Sequence, residues 1–382
     1  MKNLNWKSIV GWGIAALVVA GIIGTNMYQD KKAVEGKFVV ALNLPLSGLM
    51  SAYGVPYANG LKMGIQDEFS ENHVPFDSYV VDMGDNQSKA SDAVTLLQRQ
   101  QLNGFDVYVS GLSDASRAVA NILDKTKIPH FIVAFDRDAI VDGTGRMRIL
   151  PNSNLEIPAF IQFLKNKNPK KVFIISYNNK SVQTLVYQGI KPYLDGKGID
   201  YQIEKLDTNF NDFRILALKV KEYNPDVILI QHYDFGLIKA IPTLKEQDLI
   251  HNGNTYIGLD MVELVNTQTD YSITKDIIFN TTYFNINPNQ DFIQRYKEQF
   301  GKEPTYFAAY GYDAGRLIAK TWIKDGKISK ESIIGQTPYN GVSGTVKLSK
   351  NGDLESDLFS GIVDQNNRIH EWKNMTDQQK AK

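Results

Sequence analysis

Short polar residues recur just beyond strand-like runs in this chain. Residues 44–54 read LPLSGLMSAYG, setting Ser47, Ser51 and Tyr53 in a turn between the run Phe38–Leu44 and a helical pattern starting near Pro56. Ser113 follows the run 107–110, and Ala134 with Asp136 closes the run 130–134. In the second half, Tyr177 to Ser181 follow the run 172–176, Tyr233 and Asp234 follow 227–230, and Asp260 follows 256–259. Hydroxyls and helix N-terminal amides donate to a carboxylate. An aspartate accepts from an ammonium group. A tyrosine packs on apolar surface and donates one hydrogen bond. Together these groups suit a small zwitterion. Any one of them is accounted for as a turn former or helix cap. Their recurrence at equivalent positions points to one shared site.

Other chemistries fit less well. Gly111-Leu-Ser-Asp-Ala115 imitates a nucleophile elbow, with His232, His251 and Asp260 available as partners for Ser113. His232 sits at a strand end in the other half, however, and no glycine run for an oxyanion hole precedes the serine. The five histidines contain no H-x-x-x-H pair, and Asp82-x-x-Asp85-Asn86 lacks the glycine and distal glutamate of a calcium loop. No cysteine is present, which excludes disulfides, thiolate nucleophiles and cysteine-ligated metal. The reading is therefore of a binding protein without a cofactor, not an enzyme.

The elements that must position these groups alternate. Strands are expected at 38–44, 78–82, 107–110 and 130–134, with helices between them. The first of these helices carries Tyr57, Leu61, Ile65 and Phe69 on one face. The rhythm pauses at 151–158 and restarts with strands at 172–176, 201–203, 227–230 and 256–259, again with helices between. Such alternation predicts two doubly wound α/β units with parallel sheets, whose ligands lie beyond the C-terminal strand ends. Residues 292–300 and 306–324 read as helices. Residues 346–353 read as a strand entering a hairpin turn at Asn351-Gly352, continued by strands at 359–363 and 368–372.

A chain of 382 residues favours two domains, and 43% hydrophobic with 22% charged residues describes a globular protein. The 42 basic and 42 acidic residues cancel, and no basic block stands out, which argues against nucleic acid as a partner. Lys2 and Lys7 precede an uncharged apolar run at 9–24, the pattern of an export signal. Its 16 residues lie between a signal-peptide core and a full span, so cleavage and retention as a membrane anchor both stay open. Within it, Gly11-Trp-Gly13 imitates a dinucleotide fingerprint but follows no strand.

PLSGLMSAYG, followed by a helix with G-x-x-x-G-I, resembles the opening of type I periplasmic solute-binding proteins, in particular the leucine/isoleucine/valine-binding branch of ABC importer systems. The resemblance continues through VDMGDNQSKASDAVTLLQRQ, VYVSGLSDASRAVANILDKTKIPHFIVAF, TYFAAYGYDAGRLIA and YNGVSGTVKLSKNGD, and spans about residues 36–372. It implies two Rossmann-like lobes joined by three crossover strands and closing on a ligand. The lobes would be 36–152 with 285–338, and 153–284 with 339–376, after a signal or anchor at 1–35 and before a tail at 377–382. It implies ligand contacts from Tyr53, Ser113, Ala134, Asp136, Ser181, Tyr233 and Asp260, the last meeting an ammonium group. Two departures stand out: Asp136 replaces a hydroxyl residue and Ser181 an aromatic, which implies a ligand more cationic or more polar than leucine. The expected function is capture of an amino-acid-like solute outside the cytoplasm and delivery to a membrane permease. A tethered sensor reporting to a separate chain is the alternative.

Overall fold

The computed structural model describes residues 36–178, 180–207, 210–231, 237–259, 261–262, 265 and 270–372. The N-terminal apolar run and the C-terminal tail lie outside the described residues. Among the described residues, no helix is long and apolar enough to cross a membrane.

Strand β1 (Phe38–Leu44) is buried along its whole length, as the apolar run of a strand covered on both faces must be. It pairs in parallel with β2 (Tyr79–Asp85) and β3 (Val107–Gly111), and β4 (His130–Val133) and β5 (Arg146–Met147) extend the sheet in the order β2-β1-β3-β4-β5. Helices α1 (Ser51–Glu71), α2 (Ala90–Asn103) and α3 (Ser113–Leu123) make the connections. Alternation along β1 sends Val40, Leu42 and Leu44 into one core and Ala41 into the layer against Ala93, Leu97 and Val119.

The chain then crosses to α4 (Glu156–Lys167) and a second parallel set. This comprises β6 (Lys171–Tyr177), β7 (Asp200–Leu206), β8 (Val227–Gln231), β9 (Thr255–Ile257) and β10 (Ile277–Thr281). Its helices include α5 (Lys180–Thr184), α6 (Phe213–Tyr223) and α7 (Leu237–Glu246). After β10 the chain returns to the first lobe with α8 (Gln290–Phe300), α9 (Tyr306–Asp325) and the hairpin β11 (Tyr339–Gly341) and β12 (Gly344–Val346). It crosses a third time to β13 (Phe359–Val363) and β14 (Ile369–Glu371), which close the second sheet in the order β14-β13-β10-β9-β8-β6-β7. The two doubly wound lobes and three crossings are as expected.

Three details differ from the sequence reading. Helix α4 fills the expected pause: Ala159, Phe160, Phe163 and Leu164 form its buried face, and Pro158 falls in the first turn, where a missing N–H has no intrahelical partner to lose. Strand β10 was not expected, yet all five of its residues are buried. Residues 339–354, expected in the second lobe, bond to the first. The buried Asp313 carboxylate on α9 accepts from the amides of Val342 at 3.0 Å and Ser343 at 2.8 Å, and Tyr339 Oη donates to the Asp313 carbonyl at 2.6 Å. The third crossing therefore follows Leu354 and not residue 338. The turn at 349–353 forms, but β12 pairs with β11 while β13 pairs with β10.

Helices α1 and α9 touch backbone to backbone. A Cβ on Gly60 or Gly64 would overlap the carbonyls of Ala308 and Tyr312, and one on Gly311 or Gly315 those of Tyr57 and Leu61. Beneath α3, His130 is fully buried and shares a 2.6 Å hydrogen bond with Ser110 Oγ. Burial, helped by the Arg146 charge, lowers its pKa to about 3. Burial also raises Asp313 to about 6, against the opposing hydrogen bonds from Ser343 and Val342.

Gly311→Ala should lower the unfolding free energy by about 1–3 kcal/mol, since only backbone can yield. Gly196→Ala, on a helix with open space around it, should leave stability equal or raise it by up to about 1 kcal/mol in the same urea titrations. The two buried ionisable groups have opposite pH signs. His130 contributes stability that is complete above its unfolded pKa of 6.5 and is lost as pH falls toward about 3. Asp313 contributes stability that is complete below 3.8 and lost as pH rises through about 6. Between about pH 7 and pH 4, His130→Gln should therefore gain roughly 2–3 kcal/mol relative to the parent protein, and Asp313→Asn should lose a similar amount. Parallel curves for all three proteins would contradict both assignments.

Candidate functional site

The turn after β1 is built by its own polar residues. Ser47 Oγ and the amide of Leu46 donate to Asp85 at the end of β2, and Ser51 Oγ donates to the Gly48 carbonyl at 2.7 Å. Both serines thus act as turn formers. Tyr53 is buried, its ring 5.0 Å from Phe307 at the start of α9. Phe135, in the loop after β4, meets the same Phe307 ring at 5.9 Å. Tyr53 thus lies in the first turn of α1, which begins at Ser51 and not near Pro56, and one aromatic from the returning helix brings that turn together with the 134–136 loop, although β3 separates their strands.

Ser113 opens α3 directly beyond β3 and is half-buried. The N-cap residue of this helix, Leu112, makes no side-chain capping hydrogen bond, so the first amides and the positive end of the dipole stand at the C-terminal sheet edge. Asn86, buried in the turn after β2, supports that edge by donating to the carbonyls of Gly111 and Asn43. Arg117, one turn into α3, bridges Asp114 at 2.9 Å and Asp136. The extra carboxylate noted at Asp136 is thus balanced by a guanidinium from the neighbouring helix. Ala134 is buried and offers backbone alone: its carbonyl, like that of Asp136, accepts from Arg148. Tyr53, Ser113, Ala134 and Asp136 share one sheet edge. Beside them, Arg137 donates to Gln188 of the second lobe at 2.8 Å.

In the second lobe, Tyr177 ends β6 and is buried, and Ser181 lies in α5 immediately after it. Tyr233, Asp234 and Asp260, with His232, lie outside the described residues. The strand ends leading to them are held by Glu156, which is 1% exposed at the start of α4. It accepts from the Leu259 amide at 2.8 Å, Asn280 Nδ2 at 3.0 Å and Gln231 Nε2 at 3.3 Å. One carboxylate thereby gathers the ends of β8 and β10 and the residue preceding Asp260. Asn280 in turn accepts from Tyr256 Oη at 2.9 Å, which also shares a hydrogen bond with Ser360 on β13. Neither Glu156 nor Arg148 was singled out from the sequence. The only local signal for either was a charged residue beside apolar ones.

A hollow of about 440 Å³ lies elsewhere, between α9 and the β11 hairpin, lined by Tyr312, Arg316, Lys320, Tyr339 and Asn340. None of the predicted site residues lines it, and its walls include the ion pairs and tyrosines that fasten α9. The convergent strand ends are the better site.

No curated protein matches the sequence. Solved structures match its fold. A leucine-binding protein from Thermotoga maritima is 21% identical, with a TM-score of 0.71, over 88% of this chain and 98% of that one. A branched-chain amino acid transporter substrate-binding protein from Streptococcus pneumoniae, in complex with isoleucine, is 18% identical with a TM-score of 0.72 over 87% and 97%. A solute-binding protein of an ABC transporter from Rhodopseudomonas palustris, in complex with 3,4-dihydroxybenzoic acid, is 18% identical with a TM-score of 0.76 over 90% and 100%. The family model described as periplasmic binding protein matches residues 37–366, and the chain belongs to that family.

Proposed function

We propose that this protein captures a small carboxylate-bearing solute, an amino acid or a close relative, between its lobes and delivers it to an ABC importer in the membrane. Family membership implies an extracytoplasmic location, and the apolar run at 9–24 would act as export signal or anchor. The observation that carries the reading is the N-terminus of α3, whose N-cap residue Leu112 offers no side-chain cap, at the sheet edge that also holds Tyr53 and Asp136. Its amides and Ser113 suit the carboxylate of the solute. Asp260 is assigned the ammonium group, and Tyr233 and Ser181 the rest of the second-lobe surface. Closure follows from the differential affinity of the ligand for the closed state.

The Arg117–Asp136 pair changes the ligand class expected from the sequence. A carboxylate already balanced gives little preference for a cation, so a neutral amino acid or a simple organic acid is favoured. The complexes of related folds with isoleucine and with 3,4-dihydroxybenzoic acid accord with that choice. No catalytic step is assigned: His130 bonds Ser110 in the core.

Thermal-shift titration of the full chain with L-leucine, L-isoleucine, L-arginine, putrescine, benzoate and 3,4-dihydroxybenzoate tests this. A ligand at a hundred times its Kd adds about 2.7 kcal/mol of stability. A response to a neutral amino acid, weakened at least tenfold by Asp260→Ala, is expected. A response to arginine or putrescine alone would return Asp136 to the ligand. No response, with native mass spectrometry showing an empty protein, would sink solute capture.

A further inference from the structure

Arg148 leads out of β5 into the first crossing, and its side chain has no exposed surface. Nε and Nη2 donate to the two carboxylate oxygens of Asp353 at 2.8 and 2.7 Å. This is the paired fork that a guanidinium offers and an ammonium does not. Nη1 donates to the carbonyls of Ala134 at 2.9 Å and Asp136 at 2.7 Å. The carbonyl between them, that of Phe135, accepts from the Ser153 amide at 3.0 Å. Three successive carbonyls of the loop after β4 are therefore held by residues of the first crossing. The turn that leads into the third crossing is fastened to the same place: the Arg148 amide donates to the Gly352 carbonyl at 2.9 Å, and Asn152 Nδ2 donates to Asp353 at 3.1 Å. On its outer side the loop meets Arg117 through Asp136 and the second lobe through the Arg137–Gln188 hydrogen bond.

We infer that Arg148 and Asp353 are positioning residues for the ligand site. They tie the backbone of residues 134–136 to the points where the first and third crossings leave the first lobe, so that loop shape and lobe angle change together. The inference rests on the proposed capture of a ligand between the lobes. Neither residue touches the ligand. Their effect runs through the loop carbonyls.

The test compares amide hydrogen exchange and L-isoleucine binding in the full chain. Arg148→Lys keeps the charge but loses the fork, and Asp353→Asn removes the counter-charge. Each should speed exchange across residues 134–139 at least tenfold, leave β1 and α2 unchanged, and raise the L-isoleucine dissociation rate at least tenfold. The double variant Arg148→Met/Asp353→Leu replaces the buried Arg148 and the half-buried Asp353 with apolar side chains, a change that folds often tolerate. It should show the same fast loop, and with Asp353→Asn it carries the comparison if Arg148→Lys does not fold. Unchanged loop exchange, or uniform acceleration over both lobes, would overturn the inference. Exchange needs no ligand, so a parent protein that ignores L-isoleucine would count against the ligand reading alone.

Discussion

The backbone contact between α1 and α9 is the constraint from which the rest of the architecture follows. Gly60 and Gly64 meet the backbone of Ala308 and Tyr312, and Gly311 and Gly315 that of Tyr57 and Leu61, with no room for a side chain between the helices. Helix α9 comes after the whole second parallel set in sequence. The first lobe is therefore incomplete until the chain has built the second and returned. That return requires a second crossing, and the later passage to β13 requires a third. Phe307, at the start of the returning helix, then becomes the ring on which Tyr53 and Phe135 pack. The candidate site thus owes part of its floor to a segment more than a hundred residues away from either.

Buried charge follows the same route. A charge inside a protein needs partners for each of its hydrogen-bonding positions, because water is not available to supply them. Arg148 finds its partner 205 positions away in Asp353, and Glu156 takes a hydrogen bond from Asn280, 124 positions away. Asp313 holds the β11 hairpin by its amides. All three sit where segments that cross between the lobes, or return from the second, are fastened, so polar clusters anchor both ends of the joint. Such an arrangement permits rigid lobes with motion confined to the segments between them.

The charge at the candidate site depends on pairing, not on composition. Read along the sequence, Asp136 is an added carboxylate beside a ligand. In the structure it meets Arg117, which also takes Asp114. Two acids and one base still carry one net negative charge, but the Asp136 carboxylate itself is paired with Arg117 and lies near the positive end of α3, so it faces a ligand less strongly than an unpaired acid would. A histidine beneath the same helix stays neutral through burial and serves the core.

Much of this was legible from local pattern. Continuous apolar runs such as Phe38–Leu44, alternating with helical stripes such as Tyr57, Leu61, Ile65 and Phe69, specified parallel strands and their covering helices, because each pattern is set by burial of its own segment. The edge on which the candidate residues stand followed from the same alternation, since parallel strands end together. What local pattern does not encode is partnership at long range. Helix α4 was obscured by Pro158, whose harmlessness depends on falling in a first turn. The hairpin at 339–346 was assigned to the wrong lobe because its amides are claimed by Asp313 on α9. The balance at Asp136 and the forks of Arg148 depend on which segments the crossings bring together. The sequence by itself determined the elements and the edge on which a site would lie. Only the tertiary structure decided which charges that edge keeps, because hydrogen-bond and charge partners are chosen by proximity in space and not by position along the chain.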